Sequence, residues 1–181
     1  IGSYKSKKKN IKLTKNKNIL VLLSNIQEFY QLINLVKDKK NLLKYNYLIR
    51  HYPHASDKKS IIKNIIKYNL KNFNISNASL EADIKKTFVT IFSATSAGIE
   101  AINHGRVGIW VNLSRVGMNP LFDQVNNFYP SHNSEDLNKK IEKVRQMSYP
   151  KYKKVINLQQ KFCEKIYSKV NANVIKKVLN S

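Results

Sequence analysis

The chain has 181 residues, a net charge of +22 and a single cysteine. That length suits one α/β domain with a proper core, or such a domain plus a helical tail, and it is too short for two nucleotide-binding domains. Cys163 cannot form an internal disulfide, which fits a reducing cytoplasm, and no stretch approaches the ~20 apolar residues of a membrane span.

A basic excess points first to nucleic acid or to an anionic membrane surface. Only four of the 33 basic residues are Arg, however, and Arg is the side chain that makes bidentate contacts to phosphates and base edges. The abundance of Lys, Asn and Ile matches the drift of an AT-rich genome. Nucleic acid is therefore not the expected partner. Peripheral association with anionic lipid is retained, because Lys acts there as a point charge; the expected location is the cytoplasm, at the inner face of the membrane. The chain opens Ile1-Gly2-Ser3 without a Met, so a further domain is expected elsewhere.

Residues 1–17 are rich in Lys, Ser and Asn without sustained periodicity and read as a linker or disordered leader. From Asn18 to Ser24 runs a continuous apolar segment of strand length, as in a parallel strand covered on both faces. Ser24 and Asn25 turn the chain into a helix on which Ile26, Phe29, Tyr30, Ile33 and Val36 recur along one face. A second strand is expected between Tyr45 and Tyr52, leading into Arg50-His51-Tyr52-Pro53-His54. This puts a cation and imidazoles at the carboxyl end of a strand.

Ser56 or Asp57 can cap the next helix, whose Ile61, Ile62, Ile65 and Ile66 read as a core stripe. Asn72 to Ile75 is a weak third strand, and Ser79 with Glu81 and Asp83 opens a short helix. The most organised stretch follows: a strand from Phe88 to Phe92, a Ser/Thr turn from Ser93 to Ser96, a helix ending at Gly105, and a strand from Val107 to Val111. In such a unit the helix N-terminus lies at the carboxyl edge of a parallel sheet and attracts anions. The hydroxyls of Ser93, Thr95 and Ser96 belong around that position. Glu100 lies one turn beyond Ser96 on the same helix face, and a carboxylate there suits a sugar hydroxyl.

After Asn112 a loop with Gly117 and Asn119-Pro120 carries Arg115, a candidate diphosphate contact. Asn126 to Tyr129 reads as a short sixth strand. Ser134-Glu135-Asp136 starts a helix with Leu137, Ile141, Val144 and Met147 buried. Pro150 reads as a break before an amphipathic tail. The expected architecture is α/β: a Rossmann-like three-layer domain over residues 18–147, with about six mostly parallel strands in the order 3-2-1-4-5-6, and a C-terminal helical tail over 148–181.

No metal-ligand cluster is visible: His51, His54, His104 and His132 are not spaced for zinc, and Cys163 stands apart. The chain lacks a P-loop, a G-x-G-x-x-G fingerprint and a G-x-S-x-G elbow. A binding crevice is left, without a self-contained set of catalytic residues.

The run Ser-Ala-Thr-Ser-Ala-Gly-Ile-Glu-Ala-Ile-Asn-His-Gly-Arg-Val-Gly-Ile-Trp-Val, from Ser93 to Val111, resembles the donor-binding motif in the C-terminal domain of GT-B glycosyltransferases. Arg50-His51-Tyr52-Pro53 is similar to the His-Pro element of bacterial surface-carbohydrate enzymes, although here a Tyr separates His51 from Pro53. The resemblance covers about residues 18–147 and implies that Ser93, Thr95 and Ser96 hold the donor phosphate, with Gly98 in the same motif. It implies that Glu100 holds the ribose and His51 the phosphate or base, with Ser24, Arg50 and Arg115 at neighbouring strand ends. The implied substrate is a UDP- or CMP-linked sugar, with no tightly bound cofactor or metal. The implied partner is an N-terminal acceptor domain, without which the chain turns nothing over. The nucleotide-sugar 2-epimerases share the architecture, but their motif is richer in Gly and carries paired acids, whereas Ile99 precedes Glu100 here. A basic nucleic-acid-binding module and a non-catalytic scaffold are the alternatives from other classes.

Overall fold

The computed structural model describes residues 13–50, 55–113 and 133–166. Its five strands form one parallel sheet in the order β3-β2-β1-β4-β5. They are β1 (Asn18–Leu22), β2 (Asn46–Arg50), β3 (Phe73–Ile75), β4 (Val89–Phe92) and β5 (Gly108–Trp110). The helices among the described residues are α1 (Ile26–Val36), α2 (Lys40–Leu43), α3 (Ala55–Lys67), α4 (Leu80–Lys86), α5 (Ser96–Asn103), α6 (Ser134–Arg145) and α7 (Tyr149–Ile166).

The unbroken apolar run of β1 takes the middle of the sheet because only a strand flanked on both edges and covered on both faces buries every side chain. Ile19, Leu20, Val21 and Leu22 are buried, and Leu20 pairs with Leu48 of β2 on one side and Thr90 of β4 on the other. Each fully buried Leu or Ile contributes about 1.5–3 kcal/mol. The chain steps one way across the sheet through α1 and α3, then the other way through α4 and α5. Right-handed crossovers therefore place α1 and α3 on one face and α4 and α5 on the other, and α1 does pack on α3, α4 on α5, and α5 on α7.

The helix ends follow from local chemistry. Asn25, Ser79, Thr95 and Asn133 cap α1, α4, α5 and α6 through their side-chain oxygens. After α5 the chain turns at Gly105, with φ of 86°. The Gly105 amide donates to the Ile102 carbonyl at 2.8 Å and the Arg106 amide to Ala101 at 3.0 Å, the paired bonds of a Schellman turn. Asn69, with φ of 50°, closes α3 in the same way. Arg106 is buried, and its Nε donates to the carbonyl of Ile84 at 2.8 Å. A guanidinium at the carbonyl end of α4 complements the helix dipole.

One expectation changes. Of the four isoleucines on α3, Ile61 is buried and Ile65 partly buried, but Ile62 and Ile66 are exposed. The stripe is wider than the strip of sheet available to cover it. The break read at Pro150 is present: α6 ends at Arg145 and α7 begins at Tyr149, with Pro150 its second residue, where a missing amide costs no intrahelical bond. The tail is also tied down: Tyr152 Oη accepts from the Val107 amide at 3.2 Å and donates to the Gly105 carbonyl at 3.0 Å. Gln159 accepts from the Gly108 amide at 2.9 Å and donates to the Gly108 carbonyl at 2.8 Å. The outward backbone groups of Gly108 on edge strand β5 are thus paired by a side-chain amide. The sixth strand expected at 126–129 lies outside the described residues.

Candidate functional site

The direction in which the chain crosses the sheet reverses between β1 and β4, which are neighbours but lead into helices on opposite faces. The loops leaving their carboxyl ends diverge, and a crevice opens between them. One wall is made by Ser24 and Asn25, the other by Ser93, Ala94 and Thr95. Each wall ends in a capped helix start: Asn25 Oδ1 accepts from the Glu28 amide at 3.0 Å, and Thr95 Oγ1 accepts from the Ala97 amide at 3.3 Å. Two positive dipole ends therefore stand at the carboxyl edge of the sheet, one on each wall.

The floor of the crevice holds a residue that the sequence reading missed. Glu28 is buried; its Oε2 accepts from the Ser24 amide at 2.7 Å, and its Oε1 from the Ser24 hydroxyl at 2.7 Å and the Ala94 amide at 3.4 Å. One carboxylate thus ties the β1–α1 loop to the β4–α5 loop. The signal was present, since Asn25-x-x-Glu28 is a capping-box spacing, but here the carboxylate reaches past the cap to the residue before it.

The predicted residues fall into different settings. Ser24 is half-buried, and its hydroxyl donates to Glu28 and accepts from Asn25 Nδ2 at 3.1 Å. Ser93 is fully buried at the end of β4, and its Oγ makes no hydrogen bond within the protein. Thr95 is half-buried as the cap of α5, Ser96 is exposed at its first position, and Glu100 is half-buried one turn later. As the first residue of α5, Ser96 has an amide with no intrahelical acceptor. The structure thus brings Ser24, Ser93, Thr95 and Ser96 to the switch point, with Glu100 one turn further along α5.

Gly98 has a packing reason to be glycine. A Cβ there would lie 2.2 Å from Phe92 Cδ2 and would also overlap the rest of that ring edge. Its absence lets α5 settle on the end of β4, which fixes where the Thr95 cap stands. Arg50 points to the other side of the edge: its Nη1 donates to Asp83 Oδ2 at 2.9 Å and also to the Ala78 carbonyl. Ser76 Oγ completes the group by donating to Asp83 Oδ1 at 2.7 Å. Arg50 therefore ties β2 and β3 to α4. His51 and Arg115 lie outside the described residues. A second polar atom not anticipated is Asn112 Oδ1, buried just beyond β5 and making no hydrogen bond.

A cavity of about 500 Å³ opens elsewhere, where α1 ends and α6 begins, lined by Lys39, Lys40, Asn133 and Glu135 among others. It belongs to the amino edge of the sheet, away from both capped helix starts at the switch point. Among the described residues there is no group of His, Cys, Asp and Glu that could hold a metal ion.

No family model matches the chain, and no curated protein matches it in sequence. Solved structures do match in fold. A mutant of S. aureus TarM, solved in complex with Fondaparinux, alpha-GlcNAc-glycerol and UDP, aligns with a TM-score of 0.69 at 16% identity, over 97% of this chain and 37% of that chain. A second TarM structure gives 0.68 at 17% identity with the same coverage. The C-terminal domain of a group 1 family glycosyl transferase, LpcC from Francisella tularensis, gives 0.52 at 13% identity, over 90% of this chain and 89% of that domain.

The chain has the fold of a GT-B glycosyltransferase domain. It spans 37% of the length of TarM and nearly all of the LpcC domain. The GT-B resemblance read from residues 93–111 is thus matched by the architecture. The five strands stand in the first five places of the expected order. No described helix is long and apolar enough to cross a membrane.

Proposed function

We propose that this chain is the donor-binding half of a glycosyltransferase that builds bacterial surface polysaccharide, and that it takes a nucleotide sugar, UDP- or CMP-linked, in the crevice between β1 and β4. The observation that carries the reading is that the neighbouring strands β1 and β4 each lead into a capped helix start, with the loops joined through Glu28 and with the unpartnered hydroxyl of Ser93 at the end of β4. Backbone amides at a helix start and a hydroxyl without a protein partner are what a diphosphate requires. The presence of UDP in one TarM structure is consistent with the same class of donor.

The Glu28 carboxylate restricts the pose. It already takes the Ser24 amide, the Ser24 hydroxyl and the Ala94 amide, and its charge repels a phosphate placed against the α1 wall. The donor phosphates therefore lean on the α5 wall, at Thr95 and the Ser96 amide, with Ser93 buried beneath them and Glu100 reaching the ribose hydroxyls. As the acceptor displaces the nucleotide, charge growing on the leaving phosphate is stabilised by the α5 dipole and by His51 or Arg115. The acceptor and the base that activates it come from an N-terminal domain, and the assembled enzyme works at the cytoplasmic face of the membrane.

Thermal-shift titration with UDP, CMP, GDP and ADP tests this directly. One pyrimidine nucleotide should raise Tm selectively, and Ser96→Ala and Glu100→Ala should each reduce the rise. Absence of any shift with all four removes the proposal. Salt-sensitive RNA or DNA binding that survives both substitutions would favour a nucleic-acid module instead.

A further inference from the structure

The outward face of α3 carries a continuous apolar strip; α7 also exposes Tyr149 and Leu158, but their spacing puts them on opposite sides of that helix. Ile66 is 73% exposed and Ile62 42%, one turn apart on the same side. Lys59, Lys63 and Lys67 are exposed beside them, and Tyr68, 40% exposed, extends the apolar strip at the C-terminal end. Two cations flank that ring, Lys37 and Lys67, each with Nζ 5.3 Å from its centroid. From Lys58 through Leu80 the sequence contains no Asp or Glu. Ile62 and Ile66 stand in water beside these lysines, while Ile61 and Ile65 supply the sheet-facing side.

We infer that α3 is a membrane-docking face, which lies flat on an anionic lipid bilayer with Ile62, Ile66 and Tyr68 in the headgroup–acyl boundary and Lys59, Lys63 and Lys67 on the lipid phosphates. The pattern is that of an interfacial helix: a narrow apolar strip, a lysine frame and an aromatic residue at its edge. The charge selects this occupant over others. A second copy docked through the same face would set Lys59, Lys63 and Lys67 against the same lysines of its partner. A nucleic acid would use the lysines but leave the isoleucines in water. Only an anionic surface with an apolar layer beneath satisfies both. The α3 axis runs along the strands, so the bilayer plane does too, and the crevice at the carboxyl edge then opens sideways along the membrane surface. This inference does not depend on which nucleotide the crevice holds.

Vesicle co-sedimentation of the 181-residue chain tests it. Binding is expected to vesicles of phosphatidylcholine with phosphatidylglycerol, not to phosphatidylcholine alone, and to weaken as salt rises. Ile62→Ser/Ile66→Ser should lower the partition coefficient about tenfold or more, and Lys59→Gln/Lys63→Gln/Lys67→Gln should lower it similarly. Lys151→Gln/Lys153→Gln/Lys154→Gln, which removes the same charge from exposed positions on α7, should bind as the parent chain does. All replaced side chains are exposed, so melting curves should overlay; if the Ile variant alone melts early, the Lys variants still decide. The proposal is overturned if anionic vesicles are not bound, if the Ile variant binds undiminished, or if the α7 variant loses as much as the α3 Lys variant. It is equally overturned if light scattering shows a dimer that the Ile variant abolishes.

Discussion

Both hydrogens that Ser24 can donate, from its amide and from its hydroxyl, go to the two oxygens of Glu28, each at 2.7 Å. The same carboxylate also takes the Ala94 amide from across the crevice at 3.4 Å. A buried anion bound by three donors holds its ground only while all three are in place, so it works as a clamp between the two loops that form the proposed donor site.

Replacing Glu28 by Ala leaves the Ser24 amide and hydroxyl without their acceptor. The expected cost is about 1–3 kcal/mol, read from the urea midpoint. The amides of Ser24 and Ala94 should both shift in a heteronuclear spectrum, although they stand in different loops. A spectrum in which only the Ser24 loop moves would mean that the Ala94 contact carries nothing.

Gly98 and Phe92 make a second test of local geometry. With a Cβ 2.2 Å from the ring, Gly98→Ala must push Phe92 or α5 aside and should destabilise by about 1–3 kcal/mol. Phe92→Leu in the same chain should recover part of that loss, because the two sites share one contact. Simple additivity of the two substitutions would contradict the packing account.

Much of this arrangement was legible in the sequence, for reasons that can be named. The apolar run of β1 and the strand–turn–helix–strand pattern around Ser93 each admit one reading, since period and turn chemistry agree. Ile62 and Ile66 were misread because hydrophobic spacing shows that a helix has an apolar side without showing how much of it the sheet can cover. Glu28 and Arg106 were missed for a related reason: a charged residue is expected at the surface, and only tertiary structure shows that backbone donors or a helix end wait for it inside.

Glu142 links α6 to the start of β2. Its Oε1 lies 2.5 Å from Lys44 Nζ and accepts from Tyr45 Oη, and its Oε2 lies 3.4 Å from Arg145 Nε. Burial works to raise its pKa, but the hydrogen bonds from Lys44 and Tyr45 and the charges of Lys44 and Arg145 outweigh it, so the carboxyl lies below its ordinary value. A depressed carboxylate contributes stability that is fully present above its unfolded pKa and disappears as pH falls through the folded one. Glu142→Gln should therefore be less stable than the parent at neutral pH, with the gap closing in acid. Urea midpoints across that range check the sign, and a gap that widens towards low pH would refute it.

Cys163 is buried, and that burial pushes its thiol up to about 12. The thiolate is the reactive form, so labelling by a thiol reagent at neutral pH should be negligible in the folded chain and should appear with unfolding. Fast labelling before the thermal transition would show that α7 is not seated as described.

The central claim is that the donor nucleotide sits between the two capped helix starts, and amide chemical-shift mapping during titration with UDP or CMP tests it most directly. Saturable shifts are expected, concentrated at residues 24–28 and 93–100 and weakened by Ser96→Ala and Glu100→Ala. Shifts confined to the amino-edge cavity around Lys39, Lys40 and Asn133, or none with either nucleotide, would contradict it.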